Sequence, residues 1–125
     1  MAIANISVIK VRDILLVTVP PDPDDDTVTH LQEKILEAME IHEAKGLVLD
    51  ISTVETIDSF FARTVTETAK MVGLMGGLTV LAGMRASVAV TTTQLGLALG
   101  KTLTALDVDR AMNLLEVNLQ QGRHR

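Results

Sequence analysis

Residues 46–61 read GLVLDISTVETIDSFF, and the order of apolar and polar residues in this stretch decides the fold. Leu47 to Leu49, followed by Ile51, form a nearly continuous apolar run, which is typical of a strand that is covered on both faces. A short polar segment, Ser52 to Asp58, comes next, and from Ser59 onward the apolar residues recur at helical spacing. The stretch therefore predicts a central strand, a turn and a helix.

The residues before this stretch predict a hairpin and a first helix. Two β-branched runs, Ile6 to Val11 and Ile14 to Val19, lie close enough together in the chain to pair as a hairpin. Three prolines between positions 20 and 23 end the second strand, because proline lacks the amide hydrogen that a sheet requires. Asp24 to Thr27 then offer an N-cap and a first turn, and the apolar spacing indicates a helix from about Asp25 to Lys45, capped by the glycine that follows.

The residues after this stretch continue the alternation of helices and strands. The helix that begins at Ser59 is expected to extend to about Met75, where three glycines end it. The later elements are expected to be a strand at Leu78 to Ala82, a helix at Val88 to Leu99, a short edge strand at Leu103 to Leu106, and a helix that Asp107 caps and that precedes a frayed tail at about 120–125.

This order of elements predicts the fold class. Residues 1–125 are expected to form a single α/β domain, a sandwich with an N-terminal hairpin and a mixed, mostly parallel sheet. Functional loops in such sheets lie beyond the carboxyl ends of the strands. The Ser52 to Asp58 turn and the Gly83 to Ser87 turn both follow such ends, so together they predict one functional surface.

The composition excludes several classes of function. The formal charge is -5, and Phe60 and Phe61 are the only aromatic residues, so the chain lacks the basic and aromatic surface that nucleic acids require. The absence of cysteine excludes disulfides, thiolate catalysis and sulfur-ligated zinc. The N-terminus has no signal-peptide pattern and no apolar run is long enough to span a membrane, so we expect a cytoplasmic protein without a metal or cofactor.

Asp58 and Ser59 form the first candidate site, and they have two interpretations. A phosphate on a serine at the start of a helix would be stabilised by the free backbone amides and by the helix dipole. The alternative is that Asp58 or Ser59 is only an N-cap, a role that is common at helix starts and contributes about 1 kcal/mol. The residues alone leave both interpretations open.

An enzymatic role for these residues has little support in the sequence. Ser59 lacks the flanking glycines of a nucleophile elbow, and none of the three histidines is placed as its partner. Asp50, at the end of a strand, resembles an aspartyl phosphoacceptor but lacks the acidic pair that would hold Mg²⁺, so we interpret it as a turn-capping carboxylate. A small hydrolase or phosphotransfer enzyme using Ser59 or Asp50 is therefore a remote alternative.

Two further polar runs are expected to be structural. Asp24 to Asp26 are interpreted as solvated charge in the first turn of a helix, rather than as a metal site. Thr91 to Thr93 could accept phosphate, but threonine hydroxyls also donate to helical carbonyls, and that second interpretation is favoured.

The segments GLVLDISTVETIDSFFA and MGGLTVLAGMRASVAVTTTQLGL resemble the STAS domain of anti-sigma-factor antagonists. Within that family they are most similar to RsbS-type proteins, the scaffold subunits of the bacterial stressosome. Ile57 to Phe60 match, in order, the Ile-Asp-Ser-Phe sequence at the start of the second helix of those proteins. The resemblance implies an α/β sandwich with about four helices on one side of a mixed sheet.

The resemblance also implies a function in stress signalling. A protein of this type is a non-enzymatic scaffold and phosphoprotein that self-associates and assembles with RsbR-like STAS paralogues. It sequesters an RsbT-like serine kinase and releases it when that kinase phosphorylates the serine of the Asp-Ser pair, here Ser59, and a PP2C-type phosphatase reverses the modification. Asp58, an exposed Phe60, Glu55 and Arg85 are expected to surround the phosphosite and to contact partners.

An alternative within the same family is an antagonist that binds an anti-sigma factor directly. The commoner antagonist motif, Asp-Ser-Ser/Thr-Gly-Leu, is absent, because Phe60 and Phe61 stand where small residues usually follow the serine. The scaffold is accordingly the favoured interpretation.

Overall fold

A computed structural model describes residues 6–96 and 102–123 of the chain. In these residues the chain forms five strands and four helices, which confirms the α/β sandwich that the sequence predicts. In chain order they are β1 (Ser7–Val11), β2 (Ile14–Thr18), α1 (Asp25–His42), β3 (Gly46–Asp50), α2 (Ser59–Leu74), β4 (Leu78–Ala82), α3 (Ala86–Gln94), β5 (Leu103–Ala105) and α4 (Val108–Arg123).

The strands form one sheet in the order β1-β2-β3-β4-β5. The hairpin partners β1 and β2 are antiparallel, whereas each later strand is parallel to the one before it. Consequently the carboxyl ends of β2 to β5 lie along one edge of the sheet. Hydrogen bonds of 3.0 Å from Ile51 N to Ala82 O and from Gly83 N to Ala105 O join the segments that follow β3 and β4 to the neighbouring strands. The two turns therefore leave the sheet side by side.

The two faces of the sheet are covered by different helices. Leu47 and Leu49 of β3 pack in a core cluster with residues of α1, α2 and α3, whereas Val48 packs on the opposite face with Ala111 and Leu115 of α4. The expectation of four helices on one side of the sheet is therefore wrong. The reason is visible in β3, whose alternating side chains are apolar on both faces and need a cover on each.

The end of α1 also differs from the expectation. Glu43, not the glycine after Lys45, is the C-cap, and it has the left-handed conformation with φ 49°. Gly46 is already the first residue of β3, since the amides of Lys45 and Gly46 both donate to Asp13 O, at 2.7 and 3.2 Å. A Cβ at position 46 would lie 3.0 Å from Leu115 Cδ1. Glycine at this position therefore allows α4 to pack closely on the sheet.

The last two helices differ from their predicted bounds. α3 begins at Ala86 and ends at Gln94, whereas the sequence predicts Val88 to Leu99, of which residues 97–99 lie outside the described residues. α4 continues through Arg123, so residues 120–123 of the expected frayed tail are helical. Residues 124 and 125 also lie outside the described residues.

Candidate functional site

At the start of α2, Asp58 rather than Ser59 is the residue that caps the helix. Asp58 is the N-cap, with extended backbone (φ -113°, ψ 177°), and its Oδ1 accepts a hydrogen bond of 2.8 Å from Phe61 N. Ser59 is the first helical residue and is exposed. Within the described residues, the Ser59 hydroxyl has no hydrogen-bond partner of its own. The carboxylate of Asp58 thus caps the helix and leaves the hydroxyl of Ser59 accessible.

The two phenylalanines after Ser59 anchor the start of α2 in the core. Phe61 is 5% exposed and belongs to the cluster beneath α1, α2 and α3. Phe60 is half-buried and packs against the same cluster. The expectation that Phe60 is exposed is therefore wrong, because a ring at this position reaches back over the core. Because both rings pack against the core, they hold the first turn of α2 in an orientation in which Ser59 faces solvent.

The turns after β3 and β4 form one surface, as the sequence predicts. Arg85 Nε donates to Ser52 O at 2.7 Å, and Arg85 Nη1 lies 3.7 Å from Glu55 Oε1. Ser87 Oγ donates to Glu55 O at 2.9 Å. Gly83 has φ 78°, and a Cβ there would lie only 2.8 Å from Ser52 Cβ. The close approach at Gly83 and these three contacts hold the turns against each other.

The first of these turns, residues 52–58, is also fixed by hydrogen bonds to the strand ends and by one buried side chain. Asp50 Oδ1 accepts a hydrogen bond of 3.0 Å from Ser52 N, which is the turn-capping role that the sequence predicts. Thr53 Oγ1 donates to Val19 O at 3.1 Å, and Val54 is 0% exposed. The turn that leads to Asp58 is therefore anchored at its start and its middle.

A cleft of about 240 Å³ opens beside this turn, between the loop that precedes α1 and the start of α2. Ile57 and Phe61 contribute apolar surface to it, and Asp22, Asp24 and Asp58 contribute carboxyl groups. Hydrogen bonds from the side chain and then the backbone of Thr27 lower the pKa of Asp24 below its usual 3.8. The surface next to Ser59 is thus acidic.

Arg63 is a residue of this surface that the sequence analysis missed. It lies on α2, and its Nε donates to Ser59 O at 3.4 Å. The sequence indicates this placement through the spacing of four residues between Ser59 and Arg63, because side chains four apart are neighbours on a helix. The start of α2 therefore carries a cation, Arg63, as well as the carboxylate of its N-cap Asp58.

The residues that could support other chemistry are placed elsewhere. His30 and His42 lie on α1, and no hydrogen bond joins either of them to Ser59 in the described residues. The hydroxyls of Thr91, Thr92 and Thr93 donate to carbonyl oxygens one turn earlier in α3, at 3.0, 2.8 and 3.0 Å, as the sequence analysis favours.

Residues 6–96 and 102–123 contain no cluster of three acidic, histidine or cysteine side chains that could hold a metal ion. No helix in these ranges is long and apolar enough to span a lipid bilayer.

Two solved structures are similar to this chain over nearly the whole length of both proteins. The chain is 31% identical to a serine-to-glutamate variant of RsbS from Moorella thermoacetica, with a TM-score of 0.83 over 94% of this chain and 99% of that one. It is 33% identical to a chain in a structure of the stressosome, described as a signal integration and transduction hub, with a TM-score of 0.79 over 90% of this chain and 98% of that one.

A longer relative matches over part of its length. The chain is 27% identical over 81 residues to the RsbT co-antagonist protein RsbRA of Bacillus subtilis (strain 168). The match covers 65% of this chain but only 30% of RsbRA, so the chain corresponds to a minor part of that protein. The family model of the STAS domain matches residues 5–111. The chain therefore belongs to the STAS domain family.

Proposed function

We propose that this chain is a scaffold and phosphoswitch of a stressosome, which sequesters an RsbT-like serine kinase and releases it when Ser59 is phosphorylated. One observation carries the proposal: the hydroxyl of Ser59 is exposed and without a partner in the described residues, while Asp58 performs the capping role. The similarity to RsbS and to a stressosome chain, at 31% and 33% identity, supports it.

The phosphoryl transfer uses Ser59 as the acceptor. Its Oγ attacks the γ-phosphorus of ATP bound to the kinase, the bond to the β,γ-bridging oxygen breaks, and ADP leaves. The hydroxyl proton passes to a base of the kinase, since no carboxylate or histidine of the described residues is hydrogen-bonded to the Ser59 hydroxyl. In this proposal the chain is a substrate and binding partner rather than an enzyme, and a PP2C-type phosphatase returns it to the hydroxyl form.

Release follows from the charge that the reaction adds. Phosphoserine carries about -1.5 to -2 charge at neutral pH. It is added to a surface that already holds Asp58, Glu55 and the carboxylates of the cleft. A partner surface that fits a neutral hydroxyl offers no cation of its own to this charge, and burying the charge there costs several kcal/mol, whereas about 1.4 kcal/mol weakens binding tenfold. A loss of kinase affinity of at least tenfold is therefore expected.

Assembly with further copies and with RsbR-like STAS paralogues is part of the proposal. Large apolar side chains are exposed on several elements, which fits a subunit that buries surface against partners. Among the residues that the structure describes, those more than half exposed are Ile9, Ile41, Leu74, Val90, Leu106 and Val117.

The test begins with the modification itself. The chain is incubated with its cognate serine kinase and ATP, and the product is mapped by mass spectrometry. We expect a single phosphate on Ser59, absent from Ser59→Ala and retained in Ser52→Ala, a matched control in the neighbouring exposed turn. Phosphate on another residue, or none, would overturn the proposal.

The second half of the test measures binding. Ser59→Ala should hold the kinase as tightly as the unmodified protein and should not release it on addition of ATP. Ser59→Asp should bind at least tenfold more weakly, in keeping with the cost of a buried unpaired charge. Capture of an anti-sigma factor in a small complex, in place of the serine kinase, would instead favour the direct-antagonist alternative.

A further inference from the structure

Arg63 is placed to meet a group attached to Ser59. The two residues are four apart on α2, so their side chains are neighbours on one side of the helix. Arg63 Nε lies 3.4 Å from Ser59 O, which shows that the arginine side chain folds back toward the start of the helix. This contact with a neutral carbonyl is long for an N–H donor. The guanidinium is exposed, and within the described residues it makes no ion pair.

The other charged groups around Ser59 do not offer an equivalent cation. Arg85, from the second turn, is the other basic residue of the surface, but it donates to Ser52 O at 2.7 Å and pairs with Glu55 at 3.7 Å. The other charged groups near the start of α2 in the described residues are carboxylates: Asp58, Asp22 and Asp24 line the cleft, and Glu67 is exposed on α2 four residues after Arg63, with which it forms no ion pair. A phosphate on Ser59 would therefore find Arg63 as its unpaired cation.

We infer that Arg63 is the internal partner of the phosphate on Ser59. The inference rests on the proposed function, because it takes phosphorylation of Ser59 as its premise. Phosphate oxygens accept stronger hydrogen bonds from a guanidinium than a neutral carbonyl does. Phosphorylation therefore moves Arg63 from the Ser59 carbonyl to the phosphate and ties the phosphate to the surface of α2.

This exchange changes the charge that the surface presents to a partner in two ways. Before phosphorylation, the exposed guanidinium of Arg63 is available to a carboxylate of a partner protein. After phosphorylation, the same guanidinium is occupied by the chain's own phosphate. The switch thus withdraws a cation from the partner while it adds a dianion, and both changes weaken the same interface.

The test uses phosphoserine installed at position 59 by genetic encoding, so that it does not depend on any kinase. The second pKa of the phosphate, about 6 for free phosphoserine, is measured by ³¹P NMR titration. A neighbouring cation stabilises the dianion and lowers this pKa. Replacement of Arg63 by glutamine should therefore raise it by about 0.2 to 0.4 unit, the size expected for an exposed pair on one helix.

A matched control separates this pairing from a general loss of charge. Lys70→Gln removes one positive charge from the same helix, about 16 Å from Ser59 along the helix axis. That distance is about twice the Debye length at physiological salt, so this variant should leave the pKa of the phosphate unchanged. Arg63→Lys, which keeps the charge, should restore most of the difference.

The outcomes distinguish this inference from the proposed function. Equal pKa shifts in Arg63→Gln and Lys70→Gln, or no shift in Arg63→Gln, would overturn the pairing and leave kinase transfer to Ser59 standing. Conversely, a kinase that ignores Ser59 would overturn the phosphoswitch, whereas the titration of the installed phosphate would still report on Arg63. Circular dichroism of the unmodified variants confirms that α2 is retained in each protein compared.

Discussion

Replacing Asp58 with alanine should destabilise the protein by about 1 kcal/mol, because it removes the N-cap of α2. The lost contact is the 2.8 Å hydrogen bond from Phe61 N to Asp58 Oδ1. Phe61 is 5% exposed, so water has limited access to replace the missing acceptor. For a domain of 125 residues, an unfolding entropy of about 2.1 cal/mol/K per residue converts this loss to a Tm lower by about 4 °C.

Asp58→Asn is the matched control for this prediction. Asparagine keeps a side-chain oxygen that can accept from Phe61 N, and it is as good an N-cap as aspartate. Urea unfolding followed by circular dichroism should place Asp58→Asn near the unmodified protein and Asp58→Ala below it, with unchanged m-values. Equal losses in the two variants would refute the capping argument and show that the charge, rather than the hydrogen bond, holds the helix start.

The same pair of variants reports on how Ser59 is presented. If the cap fixes the first turn of α2, its loss should lower the kcat/KM for phosphorylation of Ser59 in Asp58→Ala more than in Asp58→Asn. The comparison is made with initial rates at matched protein concentration, below the unfolding temperature of the weaker variant. Equal rates in all three proteins would mean that the kinase itself orders the first turn.

Two further predictions test the surface around the site. Gly83→Ala should lose more stability in urea unfolding than Gly96→Ala. Both positions have positive φ (78° and 66°), but only a Cβ at Gly83 would contact Ser52, at 2.8 Å. Equal losses of stability would show that the close approach at Gly83 is relieved without cost. The pKa of Asp24 is lower in the folded protein than its usual 3.8, so its contribution to stability is complete above that pH and is lost as the pH falls below it. Asp24→Asn should accordingly flatten the acid limb of the stability curve below pH 3.8, and an unchanged acid limb would contradict the assigned hydrogen bonds.

The sequence by itself predicted those features whose signals are local. The apolar run at Leu47 to Ile51 indicated a central strand, and prolines and glycines marked the ends of elements. The pair Asp58 and Ser59 stood out because an N-cap and a helix start can be recognised within a few residues. Asp50 as a turn cap and Thr91 to Thr93 as back-bonded threonines were predicted for the same reason, since their partners lie two and four residues away.

The tertiary structure decided those features that depend on what lies across a face. The apolar run of β3 indicated two covered faces, but not that α4 is the helix that covers the second in the part of the chain that the structure describes. Phe60 looked exposed in the sequence because its helical position cannot show that the core extends beneath it. The hydrogen bonds from Arg85 and Ser87 to the first turn join residues more than thirty positions apart, and no local pattern encodes them.

The interpretation of Ser59 required both the local sequence and the tertiary structure. The sequence by itself placed a serine at the start of a helix and left open whether it was a cap or an acceptor of phosphate. The folded chain assigned the cap to Asp58, exposed the hydroxyl of Ser59, and brought the Arg63 side chain back to within 3.4 Å of its carbonyl. The spacing of residues determines which groups can meet, whereas packing and competing hydrogen bonds determine which of them do.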